Sequence, residues 1–268
     1  MAEKETRNKP KDMIEAVPEE VEKLDKDPVI QEIIADPKEV EKKLVELDSQ
    51  EDKKDEISKW SPKTKVGKLV KEGKIKDIDK ILTDNKKILE PEIVDKLLII
   101  ETDFLSIGQA KGKFGGGKRR AWRQTQKKTQ EGNVLSFSTM VVVGDKNGHV
   151  GLGYGKAKGT LPAKTKSLRH AKLNIIKIKR GFEDPYESRS EEPHTVPYKV
   201  TGKCASSVIT LIPAPRGTGL AVADECKKIL RLAGIKDVYG VTKGKTRTTF
   251  NLAKACMKAL EKTTEMVE

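Results

Sequence analysis

Aromatic residues make up only 4 % of the 268-residue chain, and cysteine occurs three times. No run approaches the roughly 18 apolar residues of a membrane-crossing helix. With 35 % charged residues beside so few aromatics, the composition fits small aliphatic cores and a charged partner. It argues against a large enzyme with a deep apolar pocket. Cys204, Cys226 and Cys256 form no Cys-x-x-Cys pair, and the histidines do not cluster. Neither a disulfide framework nor a zinc site is signalled, no cofactor is expected, and the thiols suit a reducing cytoplasm. The start Met-Ala-Glu-Lys-Glu-Thr lacks a signal-peptide core, so a soluble, cytoplasmic protein without membrane contact is expected.

Catalytic signatures are missing too. His149, His170 and His194 stand in no Ser/His/Asp or Cys/His grouping, and Ser206 and Ser207 lack a Gly-x-Ser-x-Gly elbow. The glycines at 151, 153, 155 and 159 with Lys156 invite a nucleotide loop, but the spacing fails. A P-loop needs glycine where Val150 stands and Ser or Thr where Ala157 stands, and a dinucleotide fingerprint needs glycine at Lys156 or Lys158. The plainer reading is close packing of the strand end against RNA or a neighbouring strand. No enzyme is expected.

What is present is charge, unevenly placed. Residues 1–60 hold 12 basic and 19 acidic side chains, while the rest hold 42 and 22, within a total of +13. The segment 1–58 reads as a charged low-complexity extension with transient helices between Pro28 and Glu51. Its negative charge favours a basic neighbouring protein over RNA. Two stretches carry no acid at all: Lys111–Lys128 with eight basic residues, and Lys156–Arg180 with nine. Such segments cannot neutralise themselves through helix-surface ion pairs, which leaves their charge for a polyanion. The RNA-binding candidates in them are Lys111, Lys113, Lys118, Arg119, Arg120, Arg123, Lys127 and Lys128, then Lys156, Lys158, Lys164, Lys166 and Arg169. Phosphate contacts of this kind position a protein rather than read sequence.

Along the chain, residues 59–110 read as adaptor segments with two short helical runs, the second opening at Pro91. Gly115-Gly116-Gly117 denies Lys111–Lys128 a helix, so a basic arm leads into a polar strand near Arg119–Lys127. Gly132 marks a loop before the strand Phe137–Val143. Asp145-Lys146-Asn147-Gly148 reads as a hairpin turn, and His149–Tyr154 is the return strand. A helix follows from Leu161, with Leu161, Leu168 and Ala171 on one face, and Ile175–Lys179 is a strand or connector. Strand, strand, strand, helix over 111–181 is the layout of a small RNA-binding sheet.

Residues 182–193 read as a linker. The second domain, 194–265, is expected to hold strands His194–Val200 and Ser207–Ile212 joined through Thr201-Gly202-Lys203. Pro213–Leu220 then feeds a helix Val222–Ala233, followed by a strand Lys236–Val241 and a helix Phe250–Leu260. Arg216 and the amides of a glycine-rich helix start make an anion site for RNA phosphate. A tight turn with no ligand, or a small-molecule phosphate, are the alternatives. Lys203, Lys243, Lys245 and Arg247 complete the second-domain candidates.

Several motifs in order then carry a resemblance. They are Val141-Val-Val-Gly-Asp-Lys-Asn-Gly-His-Val-Gly-Leu-Gly-Tyr-Gly-Lys-Ala-Lys158, Pro193-His-Thr-Val-Pro197, Gly202-Lys-Cys204, Leu211-Ile-Pro-Ala-Pro-Arg-Gly-Thr-Gly219, Leu232-Ala-Gly-Ile-Lys-Asp-Val-Tyr239 and Asn251-Leu-Ala-Lys-Ala255. The chain resembles the family of the fifth small-subunit ribosomal protein, in its archaeal and eukaryotic form, over about residues 60–265. The resemblance implies an α+β protein of two α/β domains. One has a double-stranded-RNA-binding-like sheet and helix, the other a left-handed β-α-β crossover. It also implies small-subunit rRNA as partner, contact with small-subunit ribosomal proteins four and eight, and a place where mRNA enters, linked to decoding accuracy. One segment departs from the family: where relatives carry Gly-Arg-Arg, this chain has Glu131–Ser138. The positive charge is displaced to Lys118, Arg119, Arg120 and Arg123, and the Lys111–Arg123 arm is expected to contact rRNA in its place. A free RNA chaperone, or a kinase or ATPase sharing the second-domain fold, are the rival expectations.

Overall fold

The continuous apolar run Met140-Val141-Val142-Val143 needs cover on both faces of its strand, and all four residues are buried. The computed structural model describes residues 60–84, 86–110, 119–183 and 192–265. All belong to one compact unit, Trp60–Glu268. The expectations for 1–58, for Lys111, Lys113 and Lys118, and for most of the 182–193 linker fall outside the described residues.

Three short helices lead in: α1 (Lys65–Lys71), α2 (Ile78–Thr83) and α3 (Glu92–Leu97), one more than the two expected. The first sheet has β1 (Glu101–Phe104) and β2 (Trp122–Thr129) on one edge of the long β3 (Gly132–Gly144), with β4 (His149–Ala157) on the other and β5 (Ile175–Lys177) beyond it. Every pairing is antiparallel. The Asp145–Gly148 turn forms as expected, with Lys146 and Gly148 at positive φ. Gly132, expected in a loop, instead pairs with Thr129 across a two-residue turn. Glu131–Ser138 is therefore mostly strand, and β4 pairs with β3 only from Phe137 on. Gly132–Ser136 and Thr125–Thr129 form a two-stranded ribbon reaching past the sheet.

The glycines of β4 serve the helix that follows it, α4 (Thr160–Leu173). A Cβ on Gly151, Gly153 or Gly155 would lie 2.3, 2.0 and 2.3 Å from the carbonyl oxygens of Ala171, Ser167 and Ala163. Alternate glycines on one strand face meet small residues four apart on one helix face, and the backbones touch. Close packing was the right expectation, but its partner is the chain's own helix rather than RNA. The Thr139 hydroxyl, 2.9 Å from the Ala163 carbonyl oxygen, adds a buried hydrogen bond across the same contact. The buried stripe of α4 is Ala163, Ser167 and Ala171. Leu161, expected on that face, is 71 % exposed, because its position in the first turn points away from the sheet.

The second sheet has order β6-β7-β9-β8, from β6 (Val200–Cys204), β7 (Ser207–Pro213), β8 (Leu220–Ala221) and β9 (Val238–Gly244). β8 and β9 are parallel and linked through α5 (Asp224–Ala233), and α6 (Thr249–Glu265) closes the chain. Two expectations are corrected. The first strand is Val200–Cys204, not His194–Val200, and Thr201-Gly202-Lys203 lies inside it. Gly202 reads as a turn but marks a close approach, since a Cβ there would sit 2.0 Å from the Ala255 carbonyl oxygen of α6. The turn is Ala205-Ser206, with Ala205 at φ 53°.

One core spans both sheets. Met140, Val142 and Val150 of the first pack with Ile209, Leu211, Ile229 and Leu230 of the second, while Val141 and Val143 pack with Val70, Ile81, Ile93 and Val94 from the leading helices. Those helices complete a core and do more than decorate a surface. Cys226 and Cys256 are buried together, and a hydrogen bond between them plus burial raises the Cys256 thiol well above its ordinary pKa.

His149 fastens α2 to the hairpin. Its Nδ1 lies 2.6 Å from Asp145 and its Nε2 2.8 Å from Asp79, which also accepts from Lys177 at 2.6 Å. Burial pulls the imidazole pKa down, but the two carboxylates outweigh it and raise it above 6.5. Burial pushes the pKa of both carboxylates up, but their hydrogen-bonding partners outweigh it and lower both below 3.8.

Two outcomes are expected. Gly153→Ala lowers stability by about 1–3 kcal/mol or more, because the added methyl meets backbone and α4 must lift; the urea midpoint reads it. The imidazolium's contribution is complete below about pH 6.5 and is lost as pH rises through the raised folded pKa. His149→Gln therefore flattens the fall in the urea midpoint between about pH 6 and pH 9, and an unchanged fall assigns it to other groups.

Candidate nucleic-acid interface

The acid-free stretch Lys156–Arg180 is partly neutralised by tertiary contacts. Lys172 pairs with Asp95 and Lys177 with Asp79, both at 2.6 Å, and Arg180 donates to the Lys146 and Gly234 carbonyls. Lys164 lies 5.3 Å over the Phe104 ring. Not all of that charge is offered outward, because the leading helices supply the acids the stretch itself lacks. Lys156, Lys158, Lys166 and Arg169 are exposed.

On the ribbon, Arg123, Lys127 and Lys128 are exposed. Register sets Arg123 and Lys156 on either side of Ser138, so the three share one sheet face, two residues from Tyr154. Beyond that face lies an open cleft of about 650 Å³ between the first sheet and the start of α6. Arg119, Arg123 and Arg247 converge there with Ser138, Tyr154 and Phe250. Arg119 Nη1 donates to the Arg247 carbonyl at 3.3 Å, which ties the end of the basic arm to the second sheet. Ala110 and Arg119, which both line the cleft, form an antiparallel bridge. Arg120 is exposed beside it.

In the second sheet Lys203 and Lys243 both face Val208, on the side away from α6, and Lys245 is exposed in the turn before α6. The expected anion site at Pro213–Leu220 is corrected. The loop enters β8 rather than a helix, the Gly219 amide donates to Asp237 at 2.8 Å, and the first turn of α5 carries Asp224 and Glu225. Acids at a helix start repel the phosphate that a bare helix end attracts. Arg216 is exposed and has an interaction partner of its own.

The sequence compares closely with known proteins. A family model described as "Ribosomal protein S5, N-terminal domain" matches residues 121–179, and one described as "Ribosomal protein S5, C-terminal domain" matches residues 202–268. A protein named "Small ribosomal subunit protein uS5" from Nanoarchaeum equitans is 48 % identical over 77 % of this chain and 88 % of its own length. Proteins of that name from Methanocaldococcus jannaschii and Hyperthermus butylicus are 46 % and 45 % identical, over 76 % and 78 % of this chain and 88 % and 91 % of theirs. The chain belongs to the ribosomal protein S5 family.

In this S5-family chain the two matched segments fall on the two sheets, and the cleft lies between them. Arg119 and Arg247 were each legible as basic residues, but nothing in their spacing signalled convergence. Tyr154 was missed; its only sequence signal is an aromatic in an otherwise glycine-and-lysine strand end. Among the described residues no group of His, Cys, Asp or Glu is placed to hold a metal, and no helix is long and apolar enough to cross a membrane.

Exposure separates the lysines of α4 into two kinds, and RNA binding should respect it. Lys166→Gln and Arg169→Gln are each expected to reduce the salt-dependence slope for an RNA duplex by about one. Lys164→Met, docked on Phe104, should leave that slope unchanged. Filter binding over a salt series reads both.

Proposed function

We propose that the protein is a structural, non-catalytic constituent of the small ribosomal subunit that binds rRNA through phosphate contacts from both sheets. The observation that carries this is the family match across both sheets, joined to exposed Lys and Arg on each. Phosphate contacts to two adjacent RNA segments, made by two sheets sharing one core, fix a folded site without reading its sequence.

Finer assignments follow from the same reading. The first sheet with α4 on one face is assigned a double-stranded-RNA-binding-like role, supported by its strand order and the exposed Lys166 and Arg169 on the outer side of that helix. The β8–α5–β9 unit, two adjacent parallel strands with a crossing helix, is assigned the family's left-handed crossover. Small-subunit proteins four and eight, a position where mRNA enters and a part in decoding accuracy complete the reading, with residues 182–193 as the linker between domains 111–181 and 194–265. Location on ribosomes in the cytoplasm follows from it. The kinase or ATPase alternative loses support, since the first turn of α5 carries Asp224 and Glu225, whose charge repels a phosphate.

Sucrose-gradient sedimentation of lysate, first at moderate and then at low magnesium, tests the reading. The protein should travel with the small subunit after the large one separates. Sedimentation as a free monomer overturns it and favours a free RNA chaperone.

A further inference from the structure

The cleft between the sheets differs in kind from the lysine surfaces around it. Its volume of about 650 Å³ falls in the range, roughly 300–1,000 Å³, that encloses a small molecule. Among the described residues, no Asp or Glu lines it. Arg119, Arg123 and Arg247 line it from separate parts of the chain. Like charges gathered in one acid-free recess are held at a cost unless an anion joins them, and arginine offers a flat fork suited to phosphate.

An aromatic ring stands beside them. Tyr154 is 37 % exposed, and its ring meets Phe250 edge-on, with centroids 5.2 Å apart and planes at 79°. That arrangement holds the tyrosine ring in place at the cleft while more than a third of the residue stays exposed. Phe250 is already occupied on its own account, with Lys254 Nζ 4.4 Å from its centroid. A part-exposed aromatic ring, three arginines and Ser138 lining one cleft are the parts that bind an unpaired nucleotide: stacking takes the base and guanidinium takes the flanking phosphates.

Resting on the rRNA-binding reading, we propose that this cleft holds one unpaired nucleotide, its base stacked on Tyr154 and its phosphates against Arg119, Arg123 and Arg247. Stacking tolerates any base, so the site selects single-stranded over paired RNA rather than one sequence. The protein thus has two modes of contact, with lysine surfaces for helices and this cleft for a single extruded residue between them.

The test uses the full chain with two probes: an oligouridylate of about eight nucleotides carrying one 4-thiouridine, and an RNA duplex of roughly 16 base pairs. Tyr154→Leu, which keeps an apolar contact with Phe250, should weaken the single-stranded probe about tenfold and leave the duplex within about twofold, while Tyr154→Phe binds both as the parent does. Irradiation of the unaltered chain should cross-link the thiouridine to peptides containing Tyr154 or Phe250, a readout independent of how well any variant folds. Equal loss on both probes, no loss on either, or cross-links only to the lysine surfaces would each overturn the proposal while leaving the rRNA reading in place. Displacement of the single-stranded probe by equimolar oligoglutamate would also overturn it, in favour of an acidic peptide. If the parent chain binds neither probe and sediments apart from subunits, the rRNA reading fails with it.

Discussion

The placing of the two sheets depends on the contact between α5 and the β3–β4 hairpin. A Cβ on Gly144 would lie 2.3 Å from the Leu232 carbonyl oxygen, and one on Gly234 would lie 1.9 Å from the Lys146 carbonyl oxygen. The Lys146 amide donates to the Leu232 carbonyl at 2.9 Å, closing the gap with a hydrogen bond. Further along, the Glu225 carboxylate accepts the Ser106 amide and Lys228 reaches the Phe104 carbonyl. A helix that belongs by connection to the second sheet is thus bonded to the first. Backbone contact of this kind leaves little freedom to slide, because both surfaces are close-packed. The spacing of Arg123 from Arg247 is a consequence, and so is the cleft.

The same device, small residues allowing backbone to meet backbone, recurs at Gly151, Gly153 and Gly155 under α4 and at Gly202 under α6. It suits a chain with few aromatics. Without large side chains to fill wide gaps between layers, the layers come close, and burial is reached with Ala, Val and Ile. Bulk is then kept for particular places. Tyr154 and Phe250 are set at the cleft, where Phe250 borders the core and Tyr154 stays part-exposed.

The elements most legible in the sequence were those with a local cause. The Asp145–Gly148 turn, the α5 face of Cys226, Ile229, Leu230 and Ala233, and the α6 face of Ala253, Met257 and Leu260 follow from turn chemistry or helical period. The errors share a different cause. Gly202 was taken for a turn because glycine is as much a turn former as a spacer, and only the partner element decides which. Leu161 was assigned to the core on its apolarity, although the close contact of α4 with glycine leaves room only for Ala and Ser. Most of the individual basic residues were visible as candidates, but the cleft was not, since it joins residues 119, 123, 154 and 247, whose proximity is a property of the tertiary fold.

The acid-free stretches show why local charge arithmetic can mislead even when its conclusion stands. Over Lys156–Arg180 the sequence supplies nine cations and no anion, yet Asp79 and Asp95, more than seventy residues away, take Lys177 and Lys172. These pairs are partly shielded by the leading helices, so they fasten those helices to the sheet. The cations left exposed are Lys156, Lys158, Lys166, Arg169 and Lys179, on the strand end, the outer side of α4 and the segment after β5. Acids are spent inward and cations remain outward, which sorts one run of like charge into an internal fastening and an external surface. Under the proposed reading a polyanion would meet the second group, so the charge offered outward is set by where the distant acids fall as much as by where the lysines stand.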